Sequence, residues 1–139
     1  MPTLTRWYLK SALLWLAAAG LAGSAVTLRP LLGQPPVLTA LQPAQVHMLV
    51  VGFLTQLIFG VAHWMFPKPS AASAARGERL GWLTWAALNA GLALRVVGEP
   101  LLARHPGAVA GALVALSAVL QPLAAWLFVA AIWPRVRVR

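Results

Sequence analysis

The sequence has no cysteine and only two acidic residues, Glu78 and Glu99, among its 139 residues. Without cysteine the chain cannot form disulfides, thiolate metal sites or a cysteine nucleophile. Two distant glutamates do not provide the paired carboxylates of acid–base catalysis. The phosphate-binding loop, the HExxH sequence and the nucleophile elbow are absent as well. These absences exclude the common classes of soluble enzyme.

Charged residues of both signs are scarce, at 9% of the chain, whereas a soluble domain carries about 25%. Hydrophobic residues make up 60%, and lysine and arginine give a net charge of +9. The basic residues stand between long apolar runs, whereas a nucleic-acid-binding protein places them on a solvated face. The composition therefore predicts an integral membrane protein whose partner is lipid and not nucleic acid.

Four apolar segments are long enough to cross a bilayer core, which takes about 20 helical residues. They predict one all-α domain over residues 1–139, an integral membrane four-helix bundle. The first apolar run continues to Leu28, further than the core of a signal peptide, so it is predicted to span. Proline near most ends is expected to stop the helices, and residues 68–79 are expected to form a polar loop. The predicted helices cover residues 7–28, 44–66, 80–97 and 108–133.

The basic residues are divided unequally between the two ends of this bundle. The positive-inside rule therefore places both termini in the cytoplasm and predicts a multi-pass protein of the cell inner membrane or plasma membrane. Several tryptophans fall near the same boundary, as an interfacial belt would. The eight basic residues of the cytoplasmic side are Arg6, Lys10, Lys68, Arg76, Arg79, Arg135, Arg137 and Arg139, and the three of the other side are Arg29, Arg95 and Arg104.

Polar side chains inside the spans need partners, because hydrocarbon provides none. Gln56, Asn89 and Gln121 are predicted to form hydrogen bonds between helices. Gly52, Gln56 and Gly60 lie four residues apart, so they form a stripe that lets a second helix come close. This stripe predicts that the second span is central to the packing.

Two histidines lie near the opposite ends of the second span. His47 and His63 are 16 residues apart, which is about 24 Å along an α-helix, and they are expected on nearly opposite faces. They therefore cannot bind one metal within one chain. For each of them a neutral imidazole bonded to a nearby carbonyl is the alternative to a ligand. His105 is expected to be a solvated loop residue.

The sequence HMLVVGF, continuing through QLIFGVAHWMFP, resembles the second helix of small membrane proteins related to subunit I of the haem-copper oxidases. The matching residues are His47, the pair Gly52 and Phe53, then Gly60, and the exit at Phe66 and Pro67. Residues 80–100 and 6–14 resemble the third and first helices of the short four-helix members. The resemblance implies a fold like one four-helix arc of the twelve-helix subunit, and three copies would then form a homotrimer.

On this resemblance His47 matches a haem axial ligand, which implies haem b as the cofactor. Arg95 and Arg29 are predicted to pair with the haem propionates through charge-assisted hydrogen bonds. The alternative for Arg95 is an ion pair with Glu99 four residues later. His63 and Met48 are further candidate metal ligands. Met48 points about 100° away from His47, so it cannot serve the same iron within one chain.

The chain departs from the oxidases in having three histidines and one tyrosine, Tyr8, which lies at the far end from His47. Because oxygen reduction in that family uses more histidines and a tyrosine beside copper, we expect no complete oxidase. The expected function is electron transfer with a redox partner, or binding of O2 or NO. The alternative is a cofactor-free structural or assembly subunit of a respiratory complex. A small transporter is the third hypothesis.

Overall fold

A computed structural model describes residues 1–33, 35–67 and 70–136, and this part of the chain is helical and contains no strand. One unbroken helix over Pro36–Met65, here called the second span, includes a π-helical segment in its middle. All four helices are long and apolar enough to cross a membrane, which confirms the predicted all-α fold with four helices of spanning length. The elements are α1 (Thr3–Thr27), α2 (Pro36–His47), π1 (Met48–Thr55), α3 (Gln56–Met65), α4 (Ala71–Arg104) and α5 (Ala108–Val136).

Three prolines that were predicted to end helices lie inside them instead. Pro43 lies within α2, Pro100 within α4 and Pro134 within α5, so each of these helices is longer than predicted. In an apolar environment, losing one backbone hydrogen bond at a proline costs less than unwinding a turn and exposing several backbone groups. The second span begins at Pro36, where a first-turn proline lacks an amide hydrogen that would have no partner anyway.

The predicted loop over residues 68–79 is also mostly wrong, because α4 already begins at Ala71. The Ser70 hydroxyl accepts a hydrogen bond from the Ser73 amide at 3.2 Å and so caps the helix. Four of the next five residues are alanines, which are the strongest helix formers. Lys68 and Pro69 lie outside the described residues, as do Arg137 and Arg139 near the C-terminus.

The most extensive contacts between spans join neighbours in the sequence. The α1 helix packs along the second span, α2 packs on α4, and α4 packs along α5. The second span and α4 bury the largest share of their residues, which confirms the predicted central position of the second span. Over the described residues, α1 and α5 make no contact with each other, whereas α1 also contacts α4 and α3 also contacts α5.

The two ends of the helix bundle contain different helix ends and connections. The termini end contains the starts of α1 and α4 and the ends of α3 and α5, joined for example by Tyr8, whose hydroxyl donates to the Gly81 carbonyl at 2.8 Å. The opposite end contains the α1–α2 connection and the α4–α5 turn. His47 belongs to the half near the opposite end, and His63 to the half near the termini end.

The glycine stripe of the second span allows close approach of another helix, as predicted, and that helix is α1. A Cβ atom at position 52 would lie 2.8 Å from Trp15 Cβ, and one at position 60 would lie 2.6 Å from Tyr8 Cβ. Real side chains do not approach so closely, so both positions require glycine for this helix separation. Between them, Gln56 is fully buried and bonded to α1.

Candidate ligand site at His47

His47 is the last residue of α2 and directly precedes the π-helical segment π1. In π1 the Thr55 hydroxyl donates to the Val50 carbonyl at 2.9 Å, five residues earlier, which matches the wider turn. Short π-helical segments are rare and frequently occur at functional sites. The sequence analysis did not predict π1, because its apolar residues carry no signal that separates a π-helical from an α-helical turn.

The imidazole of His47 is held in one orientation by its own helix. Its Nδ1 lies 3.0 Å from the carbonyl oxygen of Pro43, one turn earlier. Because a carbonyl oxygen only accepts hydrogen bonds, the Nδ1 atom carries the proton. The Nε2 atom of the neutral ring therefore keeps its lone pair, which is the arrangement found in histidine ligands of metals.

A shallow groove of about 460 Å³ borders the ring. It is open on one side and lined by a single helix, α2. Arg29, from the α1–α2 connection, reaches its edge, where its Nη1 lies 3.5 Å from the hydroxyl of Thr39. The structure therefore brings two of the predicted site residues, His47 and Arg29, to one surface. The groove is lined by Thr39, Gln42, Pro43, Val46 and His47.

Arg95 is occupied by another partner. Its Nε atom lies 2.8 Å from Glu99 Oε1, and both side chains are largely buried. This confirms the alternative predicted for Arg95, an ion pair one turn apart within α4. The second carboxylate oxygen of Glu99 is buried and has no hydrogen-bond partner among the described residues. Arg95 does not line the His47 groove.

The two further candidate ligands are packed inside the protein. Met48 is 3% exposed and points into the helix packing, whereas the neighbouring His47 is half-buried. His63 is also 3% exposed and lies in the half near the termini end. Neither joins His47 in a common site.

His63 belongs to a buried cluster that the sequence analysis missed. Arg135 of α5 is 1% exposed, its guanidinium rests on Gly77, and its Nη1 donates to the His63 carbonyl at 3.4 Å. Its Nε and Nη2 atoms have no hydrogen-bond partner among the described residues. The sequence indicated a solvated charge at this position. Gly77 and Gly81, one turn apart on α4, were the available signal, because they leave space for large side chains.

A buried polar network joins α1, the second span and α4. Gln56 donates to the Ser11 hydroxyl and to the Tyr8 carbonyl, and Ser11 also accepts from Trp85 Nε1 at 2.9 Å. Asn89 accepts from Trp15 Nε1 at 2.7 Å. These bonds confirm the predicted interhelical roles of Gln56 and Asn89.

The same prediction is wrong for Gln121. Its amide donates to the Ser117 hydroxyl at 3.1 Å, one turn earlier in α5. Its aliphatic part packs near Gly91 of α4, so the residue meets the neighbouring helix through carbon atoms. A serine one turn before a half-buried amide offers a nearer partner than another helix does.

Within the described ranges, no three histidine, aspartate or glutamate side chains lie close enough together to hold a metal ion. Axial ligation of a haem differs because it requires only one imidazole from a chain. Comparison with models of protein families, with curated proteins and with solved structures finds no match for this chain. The resemblance to the oxidase subunit therefore stays a prediction from the sequence, and the site is interpreted from its own chemistry.

Proposed function

We propose that this chain is a haem-binding integral membrane protein in which His47 is an axial ligand of the iron. The observation that carries this proposal is the hydrogen bond between His47 Nδ1 and the Pro43 carbonyl. This bond fixes the orientation of the ring and leaves the lone pair of Nε2 available to a metal, as in many histidine ligands. A bound haem b would supply one-electron exchange with a redox partner, or a binding site for O2 or NO.

The residues around His47 provide the types of chemical group that bind a haem. They offer a neutral imidazole nitrogen, the apolar side chains of Pro43 and Val46, and the Arg29 guanidinium at the groove's edge for a propionate. A volume of about 460 Å³ lies within the usual range of ligand pockets, about 300–1,000 Å³. The ion pair of Arg95 with Glu99 leaves Arg29 as the better propionate partner.

The open shape of the groove supports a homo-oligomer. Because only α2 lines it, a flat ligand bound there would have one face uncovered. A second copy of the chain would cover that face and bring a second His47, and a trimer is the form that the resemblance implies. We further propose that the protein spans the cell inner membrane with both termini in the cytoplasm, since the basic residues are concentrated at the termini end.

The second candidate function is a cofactor-free structural subunit of a respiratory membrane complex. It is favoured by the polar network, because Gln56, Asn89 and Trp85 all serve to join helices. The pairing of Arg95 with Glu99 is also structural. Under this proposal His47 would only donate a hydrogen bond to the Pro43 carbonyl of its own helix and would bind no iron.

Optical spectra of the purified protein test the haem proposal. The wild-type protein, expressed with haem available, should show sharp Soret and α bands, and these should be lost in His47→Ala. His105→Ala is the matched control, because His105 is an exposed histidine at the same end and its removal should leave the bands unchanged. A shift of the Soret band with CO or NO would show that one axial position is open.

Two results would contradict the haem proposal. One is a colourless, well-folded wild-type protein, which would favour the structural subunit. The other is bands that persist in His47→Ala, which would move the ligand elsewhere, with His63→Ala as the next variant to record.

A further inference from the structure

A second groove lies between α1 and α4 in the half near the termini end. It has a volume of about 450 Å³ and an almost entirely apolar lining that includes the indoles of Trp15 and Trp85. The two helices run in parallel here, since Ser11 contacts Trp85 and Trp15 contacts Asn89 further along both helices. From Trp7 to Trp15 the groove follows α1 for about 12 Å. This shape suits an acyl chain lying along the helices.

The walls of this groove are held in place by the protein itself. Trp7, Trp82 and Trp85 contact each other edge to face, with centroid distances of 5.6 to 6.5 Å. The Nε1 atoms of Trp15 and Trp85 are both bonded inward, to Asn89 and Ser11. The rings therefore present their carbon surfaces to the groove. The indole N–H groups of Trp15 and Trp85 need no hydrogen-bond partner from a ligand.

The charge at the groove favours a negative ligand. Lys10 lines the groove and is exposed. The same end carries Arg76 and Arg79, and Glu78 is the single acidic residue that the sequence places there. Basic pockets between spanning helices bind the headgroups of acidic lipids, because phosphate and ammonium pair at the membrane surface.

We propose that the groove between α1 and α4 binds an anionic phospholipid, with the Lys10 ammonium on the phosphate and one acyl chain against Trp15 and Trp85. The site is separate from His47 and does not depend on a haem. It is a lipid site of defined residues, distinct from the general contact of apolar helices with the bilayer.

Native mass spectrometry of the full chain tests this site. The protein is purified in a neutral detergent and titrated with phosphatidylglycerol or with phosphatidylcholine of the same acyl chains. We expect tighter retention of phosphatidylglycerol, and Lys10→Ala should weaken it about fivefold. Arg76→Ala is the matched control, because it removes one positive charge from the same end but from the side of α4 turned away from Trp82 and Trp85.

Fluorescence quenching locates the acyl chain. Phosphatidylglycerol with brominated chains, added at low ratio to the detergent-purified protein, should quench Trp15. Trp15→Phe should therefore lose part of the quenching, whereas Trp126→Phe, which removes an indole exposed on α5, should lose less.

Three results would overturn the proposal. The first is equal retention of the two lipids by the wild-type protein, and the second is equal retention of phosphatidylglycerol by Lys10→Ala. The third is a lipid-free oligomer that Lys10→Ala dissociates, which would show that a second copy covers the groove. Since none of these measurements involves haem, a failure here is distinct from a failure of the His47 proposal.

Discussion

Single residues decide how closely α1 approaches the second span. Tyr8 and Trp15 project from α1 onto Gly60 and Gly52, so two large side chains meet positions with no side chain. Tyr8 is 1% exposed, and its hydroxyl continues to the Gly81 carbonyl of α4. One α1 residue thus connects three spans, and the geometry depends on the absence of a methyl group at position 60.

Gly60→Ala should destabilise the protein. The new Cβ would lie 2.6 Å from Tyr8 Cβ, so one helix has to shift, and overpacking of this kind costs about 1–3 kcal/mol in the free energy of unfolding. The matched control is Gly20→Ala in α1, where a Cβ meets nothing within 4 Å. Unfolding in detergent by added dodecyl sulfate measures both. Equal stability of the two variants would show that the close approach is not required.

The bond between Trp15 and Asn89 should contribute measurably to stability. A double-mutant cycle with Trp15→Phe and Asn89→Leu should give a coupling energy of about 0.6–2 kcal/mol, the usual range for hydrogen bonds between membrane helices. Gln121→Leu is the comparison, because it removes a half-buried amide whose hydrogen bond lies within α5. A coupling energy near zero would mean that the 2.7 Å contact between Trp15 and Asn89 adds no net stability.

Arg29 should matter for haem affinity but not for ligation. If it binds a propionate, Arg29→Ala should weaken haem binding roughly tenfold, since it removes one hydrogen bond to a charged group. The Soret maximum should stay in place, because the iron ligands are unchanged. Arg104→Ala removes an exposed charge at the same end and should leave the affinity unchanged. A titration of the apoprotein with haem measures both, and equal losses would indicate a general charge effect.

At the scale of elements, the long helices were predictable and their interruptions were not. Hydropathy is averaged over about 20 residues, so it located all four spans. It could not show that Pro43 and Pro100 lie inside helices, because whether a proline ends a helix depends on the surrounding medium. The opposite directions expected for His47 and His63 assumed an α-helix throughout, whereas the π1 segment lies between the two residues.

For the candidate site, the sequence predicted some of the residues but not their contacts. His47 and Arg29 were named from the sequence, and the structure brings both to one groove. The bond of His47 to Pro43 and the burial of Arg135 were not predicted, since each depends on the exact path of a helix. Short motifs indicate which side chains carry chemistry, whereas tertiary packing decides which of them share a surface.

Deleting one residue from π1 should be tolerated better than deleting one from α3. A π-helical turn contains one more residue than an α-helical turn, so removing the exposed Val50 allows ordinary α-helical bonds with the flanking helices in register. Removing Ile58, which is also exposed, rotates one part of the span against the other by about 100° and displaces the glycine stripe.

Size-exclusion chromatography and unfolding in detergent distinguish these two deletions. The Val50 deletion should remain monodisperse with a modest loss of stability, and the Ile58 deletion should aggregate or unfold. If both deletions cause aggregation or unfolding, π1 does not contain an extra residue that the helix can lose without disruption.

At the scale of the whole molecule, the distribution of charge predicts the direction of insertion. Because the chain lacks cysteine, single cysteines can be introduced without background. A membrane-impermeant maleimide added to intact cells should label Leu31→Cys, which is 83% exposed at the opposite end, and should not label Ala71→Cys at the termini end. Permeabilised cells should label both. The reverse pattern would place the termini outside the cytoplasm.

The contacts between the spans also bear on how the protein is made. Each of the three later spans packs extensively on the span made just before it: the second span on α1, α4 on the second span, and α5 on α4. No span has to wait for a distant later one to cover its main contact surface, because α1 and α5 do not meet within the described residues. Assembly in the order of synthesis is therefore sufficient, and a nascent chain stalled after the second span would already have buried its glycine stripe.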